Sequence, residues 1–238
     1  MGRGAPGRSV LEATTLAAAA LALSPNLHVG TLVLDVTKRH PALTAKIAAT
    51  LDAIAPGRFT LGIGAGGDAA EHDALGMPYG EVSERIAALT EQVAVARAML
   101  NGDSSERITL TAPGNLSGAA SAPRPGARVR LLVAGGHPSS ISLAASYADE
   151  WVAPAVTFAV GYAQLRDFER ATGRTEPPVR THLLHELRAS ETLLESPFGR
   201  DPQGVLAAAH ASGADGLIVT ARTERDVEDA LQLLAKLR

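Results

Sequence analysis

Two glycine-rich segments, each directly after an apolar run, are the residues best suited to holding a flat or phosphorylated ligand. The first, Gly62-Ile-Gly-Ala-Gly66, is followed by Gly67, Asp68 and a helical pattern. Without a Cβ, glycine lets the backbone of Gly64, Ala65 and Gly66 come close to a ring or a phosphate. A plain strand-to-helix turn would use the same residues, and both readings stand. The dinucleotide fingerprint does not apply, because no early βαβ unit surrounds these glycines. The second segment, Gly135-Gly136-His137-Pro138-Ser139-Ser140, also joins a strand to a helix. Unpaired N–H groups and the positive end of the dipole there favour a phosphate, with His137 assisting if protonated. Alternatively, Ser139 or Ser140 simply caps the helix.

A third group, Leu32, Val33 and Asp35, ends the first apolar run. Leu32 and Val33 read equally as ordinary core residues. Asp35 needs solvent or hydrogen-bond donors, because a carboxylate at a strand end is otherwise costly. His40 precedes Pro41, where it could face a substrate or serve only the turn. His72 follows Glu71 at a helix start, where the dipole favours the acid. His182 and His185 straddle a strand end, three apart, with no metal-like geometry and no carboxylate following in register. His28 and His210 read as partly buried packing. We expect no metal, and no residue stands out as catalytic.

These residues need a scaffold, and the chain supplies one by alternating helix-like and strand-like segments, the pattern of parallel α/β proteins. Helices are expected over residues 9–22, 42–54, 81–100, 139–148, 157–171, 201–211 and 223–237. Strands are expected over 27–34, 58–63, 129–134, 151–154, 178–183 and 216–220. The first helix would bury Leu11, Leu16, Ala19 and Leu23, and the second Leu43, Ile47, Leu51 and Ile54. Pro56-Gly57 stops one helix, Gly213 closes another, and Thr223 is a natural N-cap. Residues 101–125, rich in Gly, Ser, Thr and Pro, form an excursion with a small strand near 107–111, and residues 186–199 a loop. The result is a single domain over residues 1–238 with about six β/α units.

Bulk properties narrow the function. The 238 residues carry a formal charge of −3, which argues against nucleic acid. There is no cysteine for a disulfide or thiolate site. No apolar run approaches the roughly 20 residues that span a bilayer. A cytoplasmic protein acting on a small molecule is the expectation. Arginine far outnumbers lysine, a bias of GC-rich genomes.

Several segments, in order, resemble the luciferase-like monooxygenases. They are Leu11-Glu-Ala-Thr-Thr-Leu16, Leu27-His-Val-Gly-Thr-Leu-Val-Leu-Asp35 and Arg39-His-Pro-Ala-Leu-Thr-Ala-Lys-Ile-Ala-Ala-Thr-Leu-Asp52. Pro56-Gly-Arg-Phe-Thr-Leu-Gly-Ile-Gly-Ala-Gly66 follows, then residues 71–77, 123–125 and 133–136, and finally Ala145-Ser-Tyr-Ala-Asp-Glu-Trp151. The likeness is to the deazaflavin (coenzyme F420) branch in particular, and it runs from Leu11 to about Pro154.

The resemblance implies a TIM (β/α)8-type barrel of the bacterial-luciferase-like kind, incomplete, with the first two strands absent. It also implies hydride transfer with F420, FMN being the alternative. A bulge near Leu32 and Val33, often with a non-proline cis peptide in F420 relatives, would support the ring beside Asp35. Gly64, Ala65 and Gly66 would lie beside the ring, and Gly135, Gly136, His137 and Ser139 would take the phosphate. An open barrel leaves two unpaired edges. An internal start in a longer gene, or a reduced relic, is the first explanation, ahead of a partner-completed barrel. A homodimer, or association through those edges, is expected. A reduced barrel that binds cofactor without turnover, or serves as a subunit, is the rival reading.

Overall fold

The computed structural model describes residues 11–101, 108–109, 115–116, 128–174 and 176–237. It divides into two compact units, Met1–Ala134 and Gly135–Arg238.

In the first unit, α1 (Ala13–Leu23) leads to the short strands β1 (Val29–Gly30) and β2 (Leu34–Asp35), then a 3-10 turn, Val36–Lys38. Next come α2 (Pro41–Ile54), β3 (Phe59–Gly64), α3 (Ala69–Ala74) and α4 (Val82–Asn101). β4 (Ile108–Thr109) and β5 (Asn115–Leu116) form a separate antiparallel pair inside the expected excursion, most of which lies outside the described residues. β6 (Arg130–Ala134) closes the unit. β1 and β2 both pair parallel with β3, and β3 pairs parallel with β6.

The apolar face of two helices differs from expectation. Leu16 and Leu23 of α1 are exposed, as are Leu43 and Ile54 of α2, whereas Ala17 and Leu21, and Ala45, Ala48, Ala49 and Leu51, are buried. Alanine faces let helix axes approach closely, so Ala45 packs against Val95 and Met99 of α4 and the bulkier residues turn outward. Arg58 then ties α1 to the sheet. Its guanidinium donates to the carbonyls of Leu21, Ser24 and Leu27 at 2.7–3.0 Å, a cation at a helix C-terminus.

The second unit contains α5 (Pro138–Tyr147), β7 (Glu150–Pro154), α6 (Ala155–Thr172), β8 (Arg180–His185), α7 (Pro197–Arg200), α8 (Pro202–Ala211), β9 (Gly216–Val219) and α9 (Glu224–Lys236). β7, β8 and β9 pair parallel in that order. Gly213 closes α8 at φ +98°, and Thr223 caps α9 in a capping box with Asp226. The segment expected to be only a loop, 186–199, instead supplies core. Leu187, Leu193 and Phe198 pack with Leu233 of α9, and Asp226 accepts from the Leu193 N–H at 3.0 Å. That bond, with those from Arg222 and Thr223 N–H, holds the Asp226 carboxyl below the usual range.

Candidate functional site

The end of β3 is where most of the singled-out residues of the first unit meet. Gly30 pairs with Thr60, and Leu34 with Ile63. Residues 31–33 therefore stand opposite only Leu61 and Gly62, which is a bulge between β1 and β2. The Leu32–Val33 peptide within it is cis. Leu32 turns outward and is 49% exposed. Thr31, buried, restores the interrupted ladder: its hydroxyl accepts from Gly62 N–H at 2.9 Å and donates to Gly62 C=O at 2.8 Å.

The glycines of β3 fit this bulge closely. A Cβ on Gly62 would lie 1.8 Å from Thr31 O, and one on Gly64 would lie 2.8 Å from Val33 Cγ2. On Gly66, at φ +79°, a Cβ would stand 2.8 Å from each Asp35 carboxylate oxygen. Thus the turn approaches the protein's own chain: Thr31, Val33 and Asp35 fill the three places that glycine leaves.

Asp35 is bonded rather than merely solvated. Its Oδ1 accepts from Thr37 N–H at 2.9 Å and Thr37 Oγ1 at 2.6 Å, capping the 3-10 turn. Its Oδ2 lies 3.8 Å from Lys38 Nζ and 3.5 Å from His72 Nε2. Lys38 reaches Glu71 at 2.6 Å. His72 is wholly buried, with its ring edge against Tyr79. Thr31, Thr37 and His72 were not visible as a set from sequence. Their only signal is a threonine inside or just past an apolar run and a histidine four residues after the α3 cap Asp68.

In the second unit, the segment from Gly135 to Ser140 forms an open turn. Gly135 has φ +135°, and around Gly136 nothing lies closer to a Cβ position than Thr157 Oγ1 at 3.7 Å. His137, not Ser139 or Ser140, caps α5: its Nδ1 accepts from Ser139 N–H at 3.3 Å. The serines are displaced from that role because Pro138 occupies the first helical position, which puts His137 at the cap. Ser139 is exposed, while Ser140 is buried. His40 plays the same part before Pro41, its Nδ1 accepting from Ala42 N–H at 3.2 Å. Beneath the second turn, the indole N–H of fully buried Trp151 donates to Gly135 C=O at 3.0 Å.

Three histidine expectations need correction. His28 and His210 are exposed, not packed. His182 does have a carboxylate partner, Glu150 Oε2 at 2.9 Å. It comes from the neighbouring strand, where Glu150 pairs with Arg180, so reading along one segment could not find it.

No helix among the described residues is long and apolar enough to cross a membrane. Comparison with known proteins gives consistent results. The family model for luciferase-like monooxygenase matches residues 2–192. An F420-dependent glucose-6-phosphate dehydrogenase of Beutenbergia cavernae is 37% identical over 138 residues, 56% of this chain and 39% of that protein. A phthiodiolone/phenolphthiodiolone dimycocerosates ketoreductase of Mycobacterium bovis is 30% identical over 222 residues, 92% of this chain and 50% of that one. The chain thus spans half or less of the length of these curated relatives.

Among solved structures, the F420-dependent tetrahydromethanopterin reductase of Methanopyrus kandleri superposes with a TM-score of 0.72 at 16% identity, covering 96% of this chain and 88% of that one. A riboflavin lyase with modified FMN gives 0.73 at 13% identity, covering 97% and 74%. At such identities the likeness establishes the fold, an incomplete TIM-type α/β barrel of luciferase-like pattern. By its sequence match over most of its length, the chain belongs to the luciferase-like monooxygenase family.

Proposed function

We propose that this chain belongs to an oxidoreductase that transfers hydride to or from coenzyme F420, with FMN as the alternative cofactor. The observation that carries the reading is the bulge at residues 31–33. It turns the apolar Leu32 side chain out beside the Gly64–Gly66 turn, where it could back a planar ring. Leu32, Val33 and Asp35, with Gly64, Ala65 and Gly66, would support the ring. Within the second unit, Gly135, Gly136, His137 and Ser139 suit a phosphate, since Gly136 leaves space and the start of α5 offers backbone N–H groups. The likeness to F420-dependent relatives supports F420 over FMN.

A bound deazaflavin supplies two-electron hydride chemistry, and the protein's part is orientation and electrostatics. Asp35 keeps its charge satisfied by Thr37 and Lys38, so it can hold the turn without a ligand. His40 is a candidate substrate contact, since its ring is exposed while only Nδ1 serves the cap. A small-molecule substrate in a soluble cytoplasmic setting, with a homodimer as the working assembly, completes the proposal.

A second reading, cofactor binding without turnover or a subunit role, is favoured by one feature. Among the described residues β9 pairs on one side only, with β8, which leaves an edge for another chain. A turnover assay separates the two. Bleaching of oxidised F420 with secondary alcohols or sugar phosphates, or its recovery from reduced F420 with ketones, is expected. Tight cofactor binding without turnover on any of these would favour the second reading.

A further inference from the structure

The Gly135–Gly136 peptide has a glycine on each side, so no Cβ restricts its rotation and little resists a flip. It is nonetheless held. Gly135 N–H donates to Val152 C=O at 3.3 Å, and Gly135 C=O accepts from the Trp151 indole N–H at 3.0 Å. Both grips come from adjacent residues of β7. The indole has no room to follow the turn if it moves. It is fully buried, its ring lies 5.4 Å from that of Phe158, and a Cβ on Gly161 would stand 2.8 Å from Trp151 Cη2 and Cζ2.

The peptide is trans, and in a trans peptide the C=O and N–H point in opposite directions. With the Gly135 carbonyl drawn to the indole, the Gly136 N–H points away from it. Gly136 is exposed, and its N–H makes no hydrogen bond among the described residues. Its surroundings suit an anion. Ser140 is only 2% exposed, yet its hydroxyl makes no hydrogen bond among the described residues, and Oγ lies 3.4 Å from the Cβ position of Gly135. Thr157 Oγ1 lies 3.7 Å from the Cβ position of Gly136, in the first turn of α6, whose N-cap Pro154 supplies no side-chain acceptor. The ten-residue α5 and the eighteen-residue α6 thus both bring N-terminal ends, with their positive dipole poles, to this turn.

We propose that Trp151 is a positioning residue for a phosphate. Its indole N–H fixes the Gly135–Gly136 peptide so that the Gly136 N–H stands ready as a donor, with the Ser140 hydroxyl near the same turn. The turn thereby selects a phosphorylated cofactor over its phosphate-free chromophore. That the phosphate is carried by F420 or FMN rests on the function proposed above.

Equilibrium dialysis of the full chain against F420, and against the phosphate-free ribityl deazaflavin, separates positioning from packing. Trp151→Phe keeps an aromatic ring and removes only the donor side of the indole. It should weaken F420 about tenfold and leave the phosphate-free compound within twofold. Equal losses for the two ligands, or no loss for either, would overturn the proposal. If Trp151→Phe does not fold, NMR of the native chain titrated with inorganic phosphate decides instead. The Gly136 amide proton is expected to shift saturably, and a Gly136 amide that does not respond would overturn the proposal. This second readout needs no cofactor. A native chain that bound neither F420 nor FMN would remove the proposed function, whereas a saturable Gly136 response would still uphold the phosphate site.

Discussion

At the end of β3, glycines 62, 64 and 66 are filled from within the protein by Thr31, Val33 and Asp35, whereas at the end of β6 Gly136 faces nothing nearer than 3.7 Å. Both stretches look alike in sequence, an apolar strand running into glycines and a helix. Their glycines nevertheless answer different needs. In the first unit they let a bulged neighbouring strand close up. In the second they keep a turn low and open above a helix start. The two strand ends are therefore built by close self-packing in one place and by open space in the other.

Substitutions can break or sharpen this contrast. Gly62→Ala should have the largest effect, since its Cβ meets a backbone oxygen that cannot move aside without disturbing the bulge. We expect a loss of about 4 kcal/mol or failure to fold, read from urea unfolding midpoints. Thr31→Val keeps the shape but leaves both the N–H and C=O of Gly62 without their partner, and about 2–3 kcal/mol should be lost in the same assay. Gly64→Ala meets only the end of Val33, so about 1–2 kcal/mol is expected, largely recovered in Gly64→Ala with Val33→Ala. Gly136→Ala should change stability by no more than about 0.5 kcal/mol, yet weaken cofactor binding by about tenfold if this turn takes the phosphate.

Acid provides the mildest test, at the edge of the first unit. Burial works against charge on Glu12, but bonds from Thr15 and Thr14 outweigh it and hold the carboxyl at about 2, against an ordinary 4.5. A depressed native value means the contribution is complete above about 4.5 and is lost as pH falls towards 2. Solvent screening at this exposed site should keep it below about 1 kcal/mol. Glu12→Gln should accordingly flatten the acid limb of the stability curve slightly, with no change on the alkaline side.

Much of the scaffold was legible from periodicity, because alternating apolar segments, proline stops and caps such as Thr223 are local signals. The six expected strands match the observed ones, counting β1 and β2 as one bulged strand. The buried faces of α1 and α2 were misread, since a spacing rule weights leucine and isoleucine over the alanines that permit close packing. The core role of residues 186–199 was also hidden, as Leu193 bonds Asp226 and both Leu193 and Phe198 pack with Leu233, all more than twenty residues away. At the candidate site, glycine composition singled out two strand ends but could not tell which glycines would be filled by Thr31, Val33 and Asp35. The His72 and His182 partners come from other segments, and spacing within one segment carries no trace of them.

The most direct test of the account is a titration of the folded chain with F420 and, in parallel, FMN, read by the fluorescence of Trp151, whose indole is bonded to the Gly135 turn. Saturable F420 binding, weaker FMN binding and a Trp151 response competed away by inorganic phosphate are predicted. A folded chain that takes up neither cofactor would contradict the proposed function.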